Sequence, residues 1–243
     1  MNGEKNAGII IKQSDFGEGH RMVWIFTEKY GIIKAVAHGA EKLRSKSGAA
    51  TQFLSYCDFV FYESGDIWNI NSVTAKDTFW PIQEDIKKLA LCTYFSDLIY
   101  FTLDLYNPDT NIMRLFLNTL YACAYRNVSC EILKLTFETK LMFAAGYMPR
   151  PDLCAMCGRD MEKAFFDTRS GGVLCRDCVK GNETCIDGTA YKVLCYIIFC
   201  DMKKMFSLSL PPEGAAVLAP LIEEYTVSVI DRPIKSLDYY KLF

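Results

Sequence analysis

Residues 154–178 read CAMCGRDMEKAFFDTRSGGVLCRDC: two C-x-x-C pairs, Cys154/Cys157 and Cys175/Cys178, with seventeen residues between them. This spacing lies in the range of four-cysteine zinc sites, where a two-residue gap lets both thiolates of one turn reach a single ion at about 2.3 Å. The intervening residues suit a hairpin, with Ala164–Asp167 going out, Ser170-Gly171-Gly172 turning and Val173-Leu174 returning. Four thiolates close the tetrahedron and leave no position for water, so the pattern predicts one structural Zn2+ and no metal catalysis. The remaining seven cysteines (Cys57, Cys92, Cys123, Cys130, Cys185, Cys195, Cys200) are scattered among apolar neighbours. An odd total of eleven in 243 residues reads as buried free thiols in a reducing compartment, not as a disulfide framework.

On the N-terminal side of this module the pattern is helical. Ile86, Leu89, Ala90, Thr93, Tyr94, Asp97 and Leu98 recur at helical spacing. Asn107-Pro108-Asp109 breaks that run, and Asn111–Arg126 and Ser129–Ala145 continue as two more helices, the last closed by Gly146. Beyond the module, Thr189–Phe206 carries an apolar stripe through Val193, Leu194, Ile197, Ile198, Met202, Met205 and Phe206. A final helix near Glu213–Asp231 contains Pro220, which either kinks it or marks its start.

Further upstream the period changes to that of strands. Gly8–Lys12, Met22–Thr27, Ile32–Ala37, Phe53–Tyr62 and Ile67–Ser72 are rich in β-branched and aromatic residues, with turn signals between them. Five short strands in this length predict a small closed barrel of the OB type. The fold class is therefore α+β and multidomain. An OB barrel occupies residues 1–80, a helical domain 81–149 and 184–243, and a four-cysteine zinc module 150–183.

Composition narrows the functions available. The net charge of -2 is not that of a globally basic nucleic-acid binder, so any such role rests on a local patch. One exists: Lys34, Lys42, Arg44 and Lys46, with His38 among them, are opposed only by Glu41 across thirteen residues that run from the third strand into a polar stretch after it. OB barrels hold single strands with a positive groove and stacking aromatics, and Trp24, Phe26, Tyr30, Phe53, Tyr56 and Trp68 are candidate platforms. The polar N-terminus is no signal peptide, and charges cut every apolar run well short of the ~20 residues of a spanning helix. A soluble cytoplasmic protein without membrane partners is expected. With two histidines and no nucleotide-binding, deaminase, zincin or redox motif, the sequence predicts a protein that is not an enzyme.

Longer segments extend these readings. Gly8–Lys12, Phe26-Thr27-Glu28-Lys29-Tyr30-Gly31, Ala35-Val36-Ala37-His38-Gly39-Ala40 and Ser45-Lys46 resemble, in order, the opening of the bacterial RecO family of the RecFOR pathway. Phe137-Glu138, Leu141 and Gly146-Tyr147-Met148-Pro149, leading into Cys154, resemble the approach to that family's zinc module. Ser170–Cys178 resembles its exit, and Arg232–Leu237 its closing segment. The resemblance implies an OB-fold, a helical domain and a zinc module. It also implies a recombination mediator, nucleoid-associated, that binds single- and double-stranded DNA and anneals complementary strands. RecR and the C-terminal tail of single-strand binding protein are its implied partners, with RecA served indirectly. Such a tail needs an apolar pocket with a positive rim, for which Lys87, Lys88, Arg114, Arg126, Lys134 and Lys140 are candidates. A zinc-ribbon scaffold that binds only protein is the alternative.

Overall fold

The computed structural model describes residues 4–38, 50–64, 67–161, 163–181, 183–186, 188–207 and 210–243. They fall into two compact units, Met1–Met113 and Arg114–Phe243.

The first unit is built on five strands: β1 (Glu4–Phe16), β2 (His20–Thr27), β3 (Gly31–Ala37), β4 (Tyr56–Ser64) and β5 (Ile67–Asp77). They close a barrel in the order β1-β2-β3-β5-β4. The antiparallel β1–β4 ladder and a short parallel β3–β5 contact complete the circle. This is the five-stranded OB barrel that the strand spacing predicts. Its interior follows the two-residue period of the strands: Val23 and Ile25, Ile33, Ala35 and Ala37, and Cys57, Phe59 and Phe61 meet in one core. Ile9, Ile10 and Ile11 are all buried, which strict alternation forbids. The β1–β2 register shifts between Ile10 and Lys12, so a bulge there lets successive side chains turn inward.

Two strands differ from their expected bounds. β4 begins at Tyr56, not Phe53, because Leu54 adopts a left-handed backbone (φ 66°) that ends the extended run. β5 runs on to Asp77, where a carboxylate oxygen accepts the Phe79 N–H at 2.8 Å. A single turn, α1 (Trp80–Gln83), leads into α2 (Ile86–Thr102), whose Asp85 cap accepts the N–H groups of Lys87 and Lys88. α2 lies against β1. The chain then bonds back to the barrel, Tyr106 N–H donating to the Ile32 carbonyl at 3.2 Å. Gly31 (φ 65°) permits this return, since a Cβ there would sit 2.5 Å from the Asn107 carbonyl oxygen.

The second unit contains most of α3 (Thr110–Tyr125), then α4 (Cys130–Ala144), α5 (Gly188–Phe199), α6 (Pro212–Ile230) and α7 (Lys235–Tyr240). Ser129 caps α4 through its hydroxyl, and Gly146 (φ 80°) closes the other end as expected. α5 is shorter than the apolar stripe suggested. It stops at Phe199 because the Asp201 side chain accepts the Lys203 N–H at 2.7 Å and sets a turn in place of helix, while Met205 stays buried beyond it. Pro220 lies inside α6; the carbonyl its ring deprives of a partner belongs to exposed Ala216, where water can serve it. Between α4 and α5 sits a small sheet, β7-β6-β8, formed by β6 (Ala164–Asp167), β7 (Gly172–Leu174) and β8 (Thr184–Ile186). β6 and β7 are the hairpin expected between the cysteine pairs; β8 adds an edge. No helix among the described residues is long and apolar enough to cross a membrane.

Candidate metal centre and nucleic-acid interface

Each C-x-x-C pair forms a tight turn. In the first, Gly158 N–H donates to the Cys154 carbonyl at 2.8 Å and Cys154 N–H to the Arg159 carbonyl at 2.9 Å; in the second, Cys178 N–H donates to the Cys175 carbonyl at 3.0 Å. The hairpin brings the turns face to face, and Ala155 N–H is held by the Val173 carbonyl at 2.9 Å. All four Sγ atoms then lie within 4.8 Å of one another. The Cys157 and Cys175 sulfurs stand 3.8 Å apart, too far for a disulfide. That distance is close to the ~3.8 Å edge of a tetrahedron whose metal–sulfur bonds are ~2.3 Å. The donor set, four soft sulfurs and no open side, could hold one metal ion.

Local hydrogen bonds favour the anionic form of two of the sulfurs, those of Cys154 and Cys157. Burial pushes the Cys154 thiol up, but the backbone N–H groups of Cys175, Cys157 and Met156 outweigh it and bring it down to about 6. The Arg159 guanidinium holds Cys157 below the ordinary thiol range, its Nε donating to Sγ at 3.4 Å. Cys178, crowded by Cys175 and the other sulfurs, is pushed up to about 12. Four such groups cannot all ionise without a cation between them.

The module is fastened to the helices of its own unit. Tyr225 of α6 lies across the Gly171 turn, where a Cβ would come within 2.3 Å of its ring. Its hydroxyl donates to the Tyr147 carbonyl at 2.6 Å, and its ring meets Phe166 edge-on.

The basic patch is only partly within the described residues. Lys42, Arg44 and Lys46 lie outside them. Lys34 stands on β3 with its Nζ 5.8 Å from the Trp24 ring centroid, and exposed His38 makes a 2.8 Å hydrogen bond to Asn69. The His38 ring also packs edge-on against His20, bringing the chain's two histidines together. A residue the sequence reading missed completes a row. Lys12 pairs with Trp24 across β1–β2, as Trp24 does with Lys34 across β2–β3. Lys12 Nζ lies 5.3 Å from the Trp24 centroid and 4.9 Å from that of Tyr100 on α2. The half-buried indole is thus flanked by two ammonium groups, and its buried Nε1–H has no partner among the described residues. The other aromatic candidates are less available. Phe26 is wholly buried, Tyr30 and Trp68 pack on each other with tilted rings against the barrel core, and Tyr56 lies beneath Lys76; Phe53 is half-buried.

Two of the cations considered for a peptide pocket serve other ends. Buried Lys134 pairs with Glu138 and Glu223, at 2.8 and 2.9 Å. Lys140 donates to the carbonyls of Ile198 and Cys200 at the end of α5. An apolar cleft of about 670 Å³ does open in this unit, lined by Val128, Ile132, Leu135, Phe206, Leu210 and Ala215 among others.

A closed five-stranded barrel joined to a helical unit that carries a four-cysteine group defines a multidomain α+β class of protein. Comparison with known proteins makes this specific. The family described as "Recombination protein O N terminal" matches residues 1–79, and "Recombination protein O C terminal" matches residues 83–238. Proteins named DNA repair protein RecO match nearly end to end. That of Acetivibrio thermocellus is 29% identical over 99% of this chain and 97% of its own, and that of Clostridium perfringens 30% over 98% and 97%. That of Clostridium novyi is 28% identical over 97% of this chain and 93% of its own. The chain belongs to the RecO family of DNA repair proteins.

Proposed function

We propose that the chain is a non-catalytic recombination mediator. In this reading it binds single- and double-stranded DNA and anneals complementary strands. With RecR, it helps RecA load onto DNA coated by single-strand binding protein. The barrel (1–80) carries the nucleic acid, the helical parts (81–149 and 184–243) the protein partners, and the module (150–183) one structural Zn2+ on Cys154, Cys157, Cys175 and Cys178. The reading places the protein in the bacterial cytoplasm, at the nucleoid.

The observation that carries the DNA reading is the Lys12–Trp24–Lys34 row, set beside membership of a DNA repair family. Two strands approaching one another repel through their phosphates. Ammonium groups on either side of a stacking surface neutralise both backbones, while the indole offers every base a π-face. Lys42, Arg44 and Lys46 extend the positive charge along the same chain segment, with His38 as a further polar contact.

The test is the salt dependence of binding to labelled single strands. Each phosphate contact adds about 0.7 to the log–log slope, so Lys12→Ala and Lys34→Ala should each flatten it by that amount. Replacing Lys42, Arg44 and Lys46 together should flatten it further. Trp24→Leu should cost about 1–3 kcal/mol of affinity at every salt concentration. Slopes and affinities that none of these changes move would leave the protein-only scaffold as the reading.

The apolar cleft is our proposed seat for the tail of single-strand binding protein. Arg126 directly precedes its lining residues Asn127 and Val128, and can meet the tail's acidic groups. Arg126→Glu should weaken capture of a tail peptide, and an unchanged affinity would move the site elsewhere.

A further inference from the structure

The four sulfurs are not held alike. Cys154 is buried, and the described bond to its Sγ comes from the Cys175 backbone N–H at 3.3 Å, a donor that no side-chain change removes. Cys157 is exposed, and the larger of its two contacts with Arg159 is the side chain's, the smaller that residue's backbone N–H. The same guanidinium reaches across to the second knuckle, where its second nitrogen meets the Asp177 carboxylate at 3.1 Å. Asp177 stands between Cys175 and Cys178. One side chain therefore ties the first cysteine turn to the second, and its backbone carbonyl closes the first turn on Cys154 N–H. Lys163 and Arg176 line the same cleft, but neither has a described hydrogen bond to a sulfur.

Energetics separates two roles for this contact. Arg159 and Asp177 are 64% and 72% exposed, and an ion pair so solvated contributes little to the fold. A charged N–H donated to a thiolate does something else. Four thiolates around a divalent cation leave a net negative charge, and a guanidinium hydrogen-bonded to one of them offsets it at the sulfur most open to water.

We infer that Arg159 is an outer-sphere positioning residue of the four-cysteine centre, which holds the two knuckles together and neutralises thiolate charge, and so sets how slowly the ion is lost. This rests on the reading of the cysteines as a metal centre. It differs from a structural role because the fold and the metal affinity should respond separately.

The experiment uses the full chain loaded with Zn2+, or with Co2+ as a coloured probe. Zinc release to a chromogenic chelator is followed for the parent, Arg159→Gln, Arg159→Lys and Asp177→Asn. Loss of an outer-sphere partner costs metal affinity about 10–100-fold, and Arg159→Gln should release zinc faster in that range while its circular dichroism stays that of the parent. Arg159→Lys keeps the charge without the fork and should fall between the two. Asp177→Asn leaves the bond to sulfur and should lose less. In the Co2+ form, Arg159→Gln should move the sulfur-to-cobalt charge-transfer band to lower energy, because an unbonded thiolate gives up its electron more readily; Asp177→Asn should not. Parent-like release and an unmoved band in Arg159→Gln would overturn the inference. A parent protein that takes up neither ion would instead overturn the metal reading beneath it.

Discussion

At Gly171 the absence of a side chain decides how a whole module is seated. Its left-handed backbone is allowed to any glycine, but the ring of Tyr225 fills the place of a Cβ. Gly171→Ala must move that ring off Phe166 and off the Tyr147 carbonyl, at a cost of about 2 kcal/mol or more. Gly146→Ala is the control: the same backbone region, with nothing within 4 Å of the new methyl, and a cost of about 1 kcal/mol. Denaturant midpoints of the two variants should differ accordingly, and equal losses would show that the Tyr225 contact does not hold the turn. Lys140 acts at the same scale. Its ammonium satisfies the last carbonyls of α5, so Lys140→Met leaves buried acceptors unmet and should cost about 1–3 kcal/mol in the same measurement. Neither contact was legible in the sequence. Gly171 reads there as an ordinary turn residue and Lys140 as a surface cation, because their partners lie 54 and 60 residues away.

Between elements, α4, α6 and the C-terminal turn after α7 are joined by charges. Lys134 bridges Glu138 and Glu223, and Lys241 pairs with the other oxygen of Glu223. Burial pushes the Glu223 carboxyl up, but the ammonium groups of Lys241 and Lys134 outweigh it and hold it below the usual range. A carboxyl depressed in the folded state gives stability that is fully present above the unfolded value of about 4.3 and is lost as pH falls through the folded value. Unfolding free energy measured against pH should therefore drop on the acid side, and Glu223→Gln should make that drop shallower; an unchanged curve would remove this cluster from the acid response. Element types were readable because period two and period 3.6 differ over five residues or more. Several element ends were not. β4 starts late because of the backbone at Leu54, α5 stops early because Asp201 bonds its own turn, and Lys12 meets Trp24 only because a bulge at Ile11 shifts the register.

For the molecule as a whole, the cysteine spacing revealed one centre and the order of longer segments revealed the family. The proposed DNA interface was half visible: Lys34 stands out in the sequence as a cation near His38, whereas Lys12 joins Trp24 only through strand pairing that no local pattern encodes. If the cysteines hold zinc, chelation should lower hydrogen-exchange protection in residues 150–183 and at the α6 turn that carries Tyr225. Protection in β1–β5 should be unaffected, and uniform loss would contradict a centre that serves its own module. The central claim, that this chain brings complementary strands together on a charged aromatic barrel surface, is met most directly by annealing of labelled complementary oligonucleotides, bare and coated with single-strand binding protein. We expect the parent protein to accelerate pairing of both, with the gain falling as salt rises and largely lost in the combined Lys12→Ala, Trp24→Leu, Lys34→Ala variant. No acceleration at any salt concentration, or a variant that anneals as fast as the parent, would contradict it.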